Sequence, residues 1–294
     1  MTFRGLMTAL VTPFHNGVLD EAAFRLLVRR QVDAGVDGLV PCGTTGEAPT
    51  LPSDEHIEVV RWTVEEAKGR VPVLAGIGSN ATATAIRTAK SVEALGVQGV
   101  LATAPYYNKP TQEGLYRHFR AIAEAVAVEV CLYDVPGRSV VRILPETVER
   151  LAEIENITTL KDATADMANA TDVLRRCGQG LSVLSGDDFS TFPFLALGGV
   201  GCISVASNVA PKQMSELVSA ARNGNLDEAR SHQRRLFPLF QQLFCESNPI
   251  PVKAALAKMG LIHNELRLPL CPMSSKHEAK MCDILRDLGV LDDR

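Results

Sequence analysis

Short apolar runs alternate with stretches of helical periodicity along three quarters of the chain. The runs are Gly5–Pro13, Gly38–Cys42, Val71–Gly76, Gly99–Ala104, Glu129–Tyr133, Ile157–Lys161, Leu181–Leu184 and Gly201–Val205. Each is followed by a few Gly, Pro, Asn, Asp or Thr residues and then by a predicted helix. The helices fall at Asp20–Ala34, Ser53–Lys68, Asn80–Leu95, Thr111–Val126, Pro145–Ala152, Asp166–Cys177, Ser190–Leu197 and Pro211–Asn223. In the first, Ala23, Leu26, Leu27, Arg30 and Ala34 share one face, with Asp20 at the N-cap; Asn80 stands at the cap of the third. Strands that are apolar on both faces belong to parallel sheets. Eight strand–helix units predict a (β/α)8 TIM barrel, a fold of ~250 residues; a doubly wound open sheet is the alternative.

The alternation stops near Asn223-Gly224-Asn225. From there only helical patterns remain: Asp227–Cys245, Pro251–Met259 and Ser274–Leu288, with a stiff turn at Glu246–Pro251. The expected division is a barrel carrying the active site over residues 1–224 and a C-terminal helical domain over 225–294. The face formed by Leu236, Phe237, Leu239, Phe240, Leu243 and Phe244 is wider than one helix stripe needs. It packs on the barrel or meets another subunit.

Composition narrows the class. Of 294 residues, 46% are hydrophobic and 22% charged, so the chain buries a core and is not disordered. A net charge of −4 leaves no footprint for nucleic acid or an anionic membrane. Seven cysteines, an odd number without a C-x-x-C pair, fit buried thiols better than disulfides or zinc ligands. The N-terminal segment lacks a cleavable apolar leader, and no run reaches the ~18 apolar residues of a membrane span. The expected location is the cytoplasm.

Two motifs mislead. Gly76-Ile77-Gly78-Ser79-Asn80-Ala81 fits a dinucleotide fingerprint, yet the next strand, Gly99–Ala104, ends without the acid that binding requires. Gly43-Thr44-Thr45-Gly46-Glu47 lacks the Lys-Ser/Thr of a phosphate loop. The six histidines have no metal-ligand spacing. No metal or cofactor is expected.

In such a barrel, chemistry sits at the C-terminal strand ends. Of nine lysines, only Lys161 continues an apolar strand. Burial there would disfavour the charged form and favour the neutral amine that Schiff-base chemistry needs. The alternative is a lysine paired with a carboxylate such as Asp187. Tyr133, one strand earlier, is either a proton donor and acceptor or a core residue. Arg138, after a Pro-Gly turn, either captures a carboxylate or lies on the surface. Thr44 and Thr45 offer hydroxyl and backbone N–H groups to a keto acid. Together these residues point to a class I aldolase acting on an α-keto acid.

At these residues the chain resembles the dihydrodipicolinate synthase family of the N-acetylneuraminate lyase superfamily. The likeness runs from Thr8–Phe14 to Asn248–Lys253 and includes Gly43–Glu47, Tyr106–Pro110, Tyr133–Arg138, Leu160–Thr164 and Gly198–Asn208. The resemblance implies that Lys161 forms a Schiff base with pyruvate and that Thr44, Tyr107 and Tyr133 relay protons. It implies that Tyr107 enters from a neighbouring subunit of a homotetramer, a dimer of dimers. Thr45 and backbone groups at Gly186 and Ile203 would hold pyruvate, and Arg138 would hold a carboxylate of the second substrate, L-aspartate 4-semialdehyde. The implied pathway is lysine and diaminopimelate synthesis. Neuraminate lyases usually lack an arginine after the Pro-Gly turn. Asp134 and Ser139 replace the family's common Asn and Thr, which places a carboxylate where it could compete for Arg138. His56, Asn80 and Tyr106 match the family's allosteric lysine site at the dimer interface. Ser53 and Thr84 stand where regulated members often carry His and Glu, so weak or no inhibition by lysine is expected. Other pyruvate-dependent aldolases and a non-catalytic barrel are the competing readings.

Overall fold

The computed structural model describes residues 3–292. Eight strands follow the chain: β1 Gly5–Ala9, β2 Gly38–Val40, β3 Leu74–Gly76, β4 Gly99–Thr103, β5 Glu129–Asp134, β6 Ile157–Asp162, β7 Ser182–Ser185 and β8 Gly201–Ser204. Neighbours pair in parallel from β2 through β1 and β8 down to β3. A parallel bridge from Leu39 to Val73 joins the two ends. The result is the expected TIM barrel.

The helices between strands are α1 Glu21–Asp33, α2 Ser53–Ala67, α3 Thr82–Glu93, α4 Gln112–Ala123, α5 Pro145–Ala152, α6 Met167–Cys177, α7 Thr191–Ala196 and α8 Pro211–Arg222. Asp20, Thr111 and Asp166 cap α1, α4 and α6 by accepting from backbone N–H groups. Asn80 does not cap α3, which begins two residues later with Ala81 at its cap position. The buried stripe of α1 is Phe24, Leu27, Val28 and Gln31, one step round from the expected face; Leu26 is exposed. Arg30 is drawn aside by bonds to the carbonyls of Asn208 and Val209, 2.6 Å each.

β1 ends at Ala9 rather than Pro13. Beyond it the chain forms a small hairpin, Phe14–His15 with Val18–Leu19, whose turn residues Asn16 and Gly17 both have positive φ. Side chains alternate along each strand and so form two cores. Met7, Ala9, Val40, Leu74, Leu101, Cys131, Tyr133, Leu184 and Ile203 fill the barrel. Leu6, Leu39, Val100, Leu132, Leu160, Val183 and Cys202 face the helical shell.

Three further helices follow: α9 Leu226–Gln242, α10 Ile250–Lys258 and α11 Glu278–Asp287. The apolar face of α9 divides. Leu236, Leu239, Phe240 and Leu243 are buried in the shell core, while Phe237 and Phe244 are exposed. The turn before α10 contains a cis Asn248–Pro249 bond. Cys42, Cys131 and Cys202 are buried as expected, but Cys177, Cys245 and Cys282 are only half-buried and Cys271 is exposed. Among the described residues no helix is long and apolar enough to cross a membrane.

Candidate active site

Tyr133 and Lys161 are register partners on β5 and β6. Both face the barrel interior near the C-terminal strand ends. Lys161 is 6% exposed, and its Nζ lies 4.0 Å from the centroid of the Tyr133 ring. Lys161 is not held by Asp187. The Asp187 carboxylate accepts from Ser190 Oγ at 3.2 Å, and burial beside Asp188 pushes its pKa up to about 7. Asp188 is buried and accepts from the N–H groups of Val205 and Ala206, which fixes the chain leaving β8. Gly186 must be glycine: a Cβ there would stand 2.7 Å from Ala163 Cβ and 3.1 Å from Lys161 Cε. Its N–H is already bonded to Asp162 O at 2.6 Å, so only its carbonyl is left to face a ligand. Ile203 lies within the inner core, 1% exposed.

The same alternation that turns Tyr133 inward turns Asp134 outward. Asp134 accepts from Ile143 N at 3.1 Å, and burial raises its pKa to about 7. It therefore does not compete for Arg138. Asp162, the outward neighbour of Lys161, accepts from Thr164 and Asn169. Arg138 sits on a short helix, Pro136–Ser139, and its Nη2 donates to Asn248 O at 3.0 Å. Ser139 Oγ closes that turn on the carbonyls of Val135 and Val141.

The loop Gly43–Glu47 after β2 is a tight turn. Gly46, Glu47 and Ala48 donate its internal bonds, and Thr12 Oγ1 donates to Gly46 O. The N–H groups of Thr44 and Thr45 take no part in these bonds. Cys42 and Glu47, at the two ends, both have φ near +54°, a region that costs a non-glycine residue about 1–3 kcal/mol. Tyr107, Lys109 and Val140, in the loops after β4 and β5, are also left-handed. Strain of this kind collects where loops are shaped for a ligand. A cavity of about 220 Å³ opens at this end, lined by Thr44, Thr103, Tyr106, Arg138 and Ser139 among others. Tyr107 is not among its lining residues and is 87% exposed on the single chain.

The glycines of the false dinucleotide motif have a steric purpose. A Cβ on Gly76 would lie 2.1 Å from Cys42 O, and one on Gly78 would lie 2.6 Å from Thr103 Oγ1. A second cavity, about 400 Å³, borders the first. Ser53, His56, Thr84, Arg87 and Tyr106 line it, with no carboxylate; Asn80 is not among its lining residues. His56 Nε2 donates to Gly76 O at 2.9 Å, and burial lowers its pKa.

Sequence reasoning missed a set of buried tethers from the C-terminal helices. Lys253 on α10 is fully buried and donates to Glu47 Oε1 at 2.6 Å and to Thr12 O at 2.8 Å. Desolvation lowers its pKa despite the ion pair. Asn248 Nδ2 donates to Thr45 Oγ1 at 2.9 Å. Nothing local marks these residues, because the partners lie about two hundred positions away. His15, Asp20 and His263 also meet, with donor atoms within 4.8 Å. The two imidazoles stack in parallel at 3.9 Å, so their lone pairs do not converge as ligation requires.

The Dihydrodipicolinate synthetase family model matches residues 2–288. The 4-hydroxy-tetrahydrodipicolinate synthase of Pelobacter propionicus is 48% identical, covering 98% of this chain and 100% of its own. That of Thermodesulfovibrio yellowstonii is 50% identical, covering 98% and 99%. The crystal structure of the chloride-inhibited dihydrodipicolinate synthase of Acinetobacter baumannii, complexed with pyruvate, superposes with a TM-score of 0.96 at 42% identity over 98% of this chain and 99% of that one. On a match across nearly its whole length, the chain belongs to the dihydrodipicolinate synthetase family.

Proposed function

We propose that the protein forms 4-hydroxy-tetrahydrodipicolinate by condensing pyruvate, held as a Schiff base on Lys161, with L-aspartate 4-semialdehyde. The product leads toward lysine and diaminopimelate. The observation that carries this reading is the buried Lys161 amine against Tyr133 at the mouth of the barrel. The Lys161 amine adds to C2 of pyruvate, and the carbinolamine loses its hydroxyl as water to leave a C=N bond. Loss of a C3 proton gives an enamine, whose C3 attacks the aldehyde carbon. The amino group of the second substrate then attacks C2, closes the ring and displaces Lys161. One water leaves overall. The substrate adduct does the work of a cofactor, and no metal is required.

In this scheme Tyr133 takes and returns the protons, with Thr44 and Tyr107 linking it to solvent. Thr45, the Gly186 carbonyl and the backbone at Ile203 hold pyruvate. Arg138 holds a carboxylate of the semialdehyde, a choice that favours a short acid over a bulky polyol. The exposure and positive φ of Tyr107 support its reaching a neighbouring chain, so the working unit is a homo-oligomer, at least a dimer and as a full assembly a tetramer. We assign the barrel to residues 1–224, the helical extension to 225–294, and the protein to the cytoplasm.

The test is pyruvate consumption with L-aspartate 4-semialdehyde, N-acetylmannosamine and a sugar-acid aldehyde in parallel, against Lys161→Ala. Turnover with the semialdehyde alone, lost in the variant, supports the reading. Turnover only with another aldehyde overturns it. In the same assay lysine should inhibit weakly or not at all. The second cavity offers Arg87 but no carboxylate to an ammonium group, and strong inhibition at physiological lysine would contradict that expectation.

A further inference from the structure

We infer that Asn248 is a positioning residue that aims the Thr45 hydroxyl at the keto-acid carboxylate, an inference that rests on the function proposed above. Asn248 lies in the C-terminal extension, outside the barrel that carries the chemistry. It is 6% exposed. Its Nδ2 donates to Thr45 Oγ1 at 2.9 Å, and its backbone oxygen accepts from Arg138 Nη2 at 3.0 Å. One residue therefore touches both side chains assigned to substrate carboxylates, on two different barrel loops. The turn that holds it is anchored a few residues later by Lys253, bonded to Glu47 of the Thr45 loop.

The direction of the bond is what matters. An amide NH2 has only hydrogen to give, so Thr45 Oγ1 accepts and its own proton must point elsewhere. Fixed in this way, Thr45 is a ready donor to an anion. Asn248 Oδ1 is buried without a partner, so the amide has no competing bond to turn it round. A carboxylate at position 248 would reverse the arrangement. It would take the Thr45 proton and set a negative charge beside the bound keto acid.

Asn248→Asp should raise the half-saturating pyruvate concentration by about 10–100-fold, the scale of one lost charge-assisted hydrogen bond. Asn248→Ala should raise it less, by about 3–10-fold. Turnover at saturating pyruvate should stay within about threefold in Asn248→Ala, because Lys161 and Tyr133 are untouched. Pyruvate binding is read by borohydride trapping on Lys161, which needs no aldehyde, with thermal melting to confirm folding. In a Thr45→Val background, Asn248→Ala should cost almost nothing further. Equal half-saturation in wild type and Asn248→Asp, or additive effects of Thr45→Val and Asn248→Ala, overturns the inference alone. Failure of the wild type to be trapped by pyruvate overturns the functional reading and the inference with it.

Discussion

At the residue scale, Tyr133 and Lys161 were legible because each ends an apolar strand, where a polar side chain has to be accounted for. The sequence alone left Lys161 open to pairing with Asp187; the structure sends Asp187 to Ser190 instead. Asp134 was read as a neighbour of Arg138 because it is four positions away. Strand alternation decides otherwise and buries its carboxylate behind the strand. That burial has a consequence for stability. The folded state holds the Asp134 proton up to about pH 7, whereas an ordinary aspartate releases it near 3.8. Between those values the folded chain binds more protons, so its stability falls as pH rises. Asp187 acts in the same direction. His118, whose pKa burial lowers to about 4, opposes both below pH 6.5, since there the unfolded state binds more protons. Asp134→Asn keeps the acceptor for Ile143 N and removes the ionisation. It should stabilise the protein at pH 8 by roughly 2–4 kcal/mol and leave it nearly unchanged at pH 4. Urea unfolding of both proteins at the two pH values checks this. A difference that does not change with pH would contradict it.

At the element scale, the eight strands and their helices were readable from periodicity, and the boundaries moved by a few residues. The largest error, the four extra residues given to β1, came from an apolar run that continues past the last ladder bond into the hairpin. The loop after β2 was legible as glycine-rich, but not what holds it in place. Its left-handed Glu47 is pinned by Lys253 from α10, 206 positions along the chain. Removing one member of a buried pair leaves an uncompensated charge and costs about 3–5 kcal/mol, while replacing both members costs far less. Lys253→Met should therefore destabilise strongly, and Glu47→Gln with Lys253→Met should recover much of the loss. Denaturant midpoints of the single and double variants decide it; costs that simply add would show the pair is not coupled.

At the scale of the whole molecule, the fold places the C-terminal helices against the loops that carry Thr45 and Arg138, so the extension takes part in shaping the site. Contacts made across two hundred residues leave no periodic trace, which is why the extension read only as packing or interface. The exposed Tyr107 is the other whole-molecule feature: it is 87% exposed on the single chain, as the proposed reach into a neighbouring chain requires. Mixing Tyr107→Phe with Lys161→Ala should restore activity in mixed oligomers. Each hybrid would pair an intact Lys161 with a neighbour's intact Tyr107. No recovery, with subunit exchange verified by mass, would place Tyr107 in its own chain's site.

The most direct test of the account uses the fact that the chain buries two lysines, Lys161 and Lys253. Protein incubated with pyruvate, reduced with borohydride and digested should carry one pyruvate-derived adduct, on the Lys161 peptide. Lys253, held by Glu47 and Thr12, should remain unmodified. An adduct on Lys253, or none on Lys161 at saturating pyruvate, would contradict the assignment of Lys161 as the Schiff-base nucleophile.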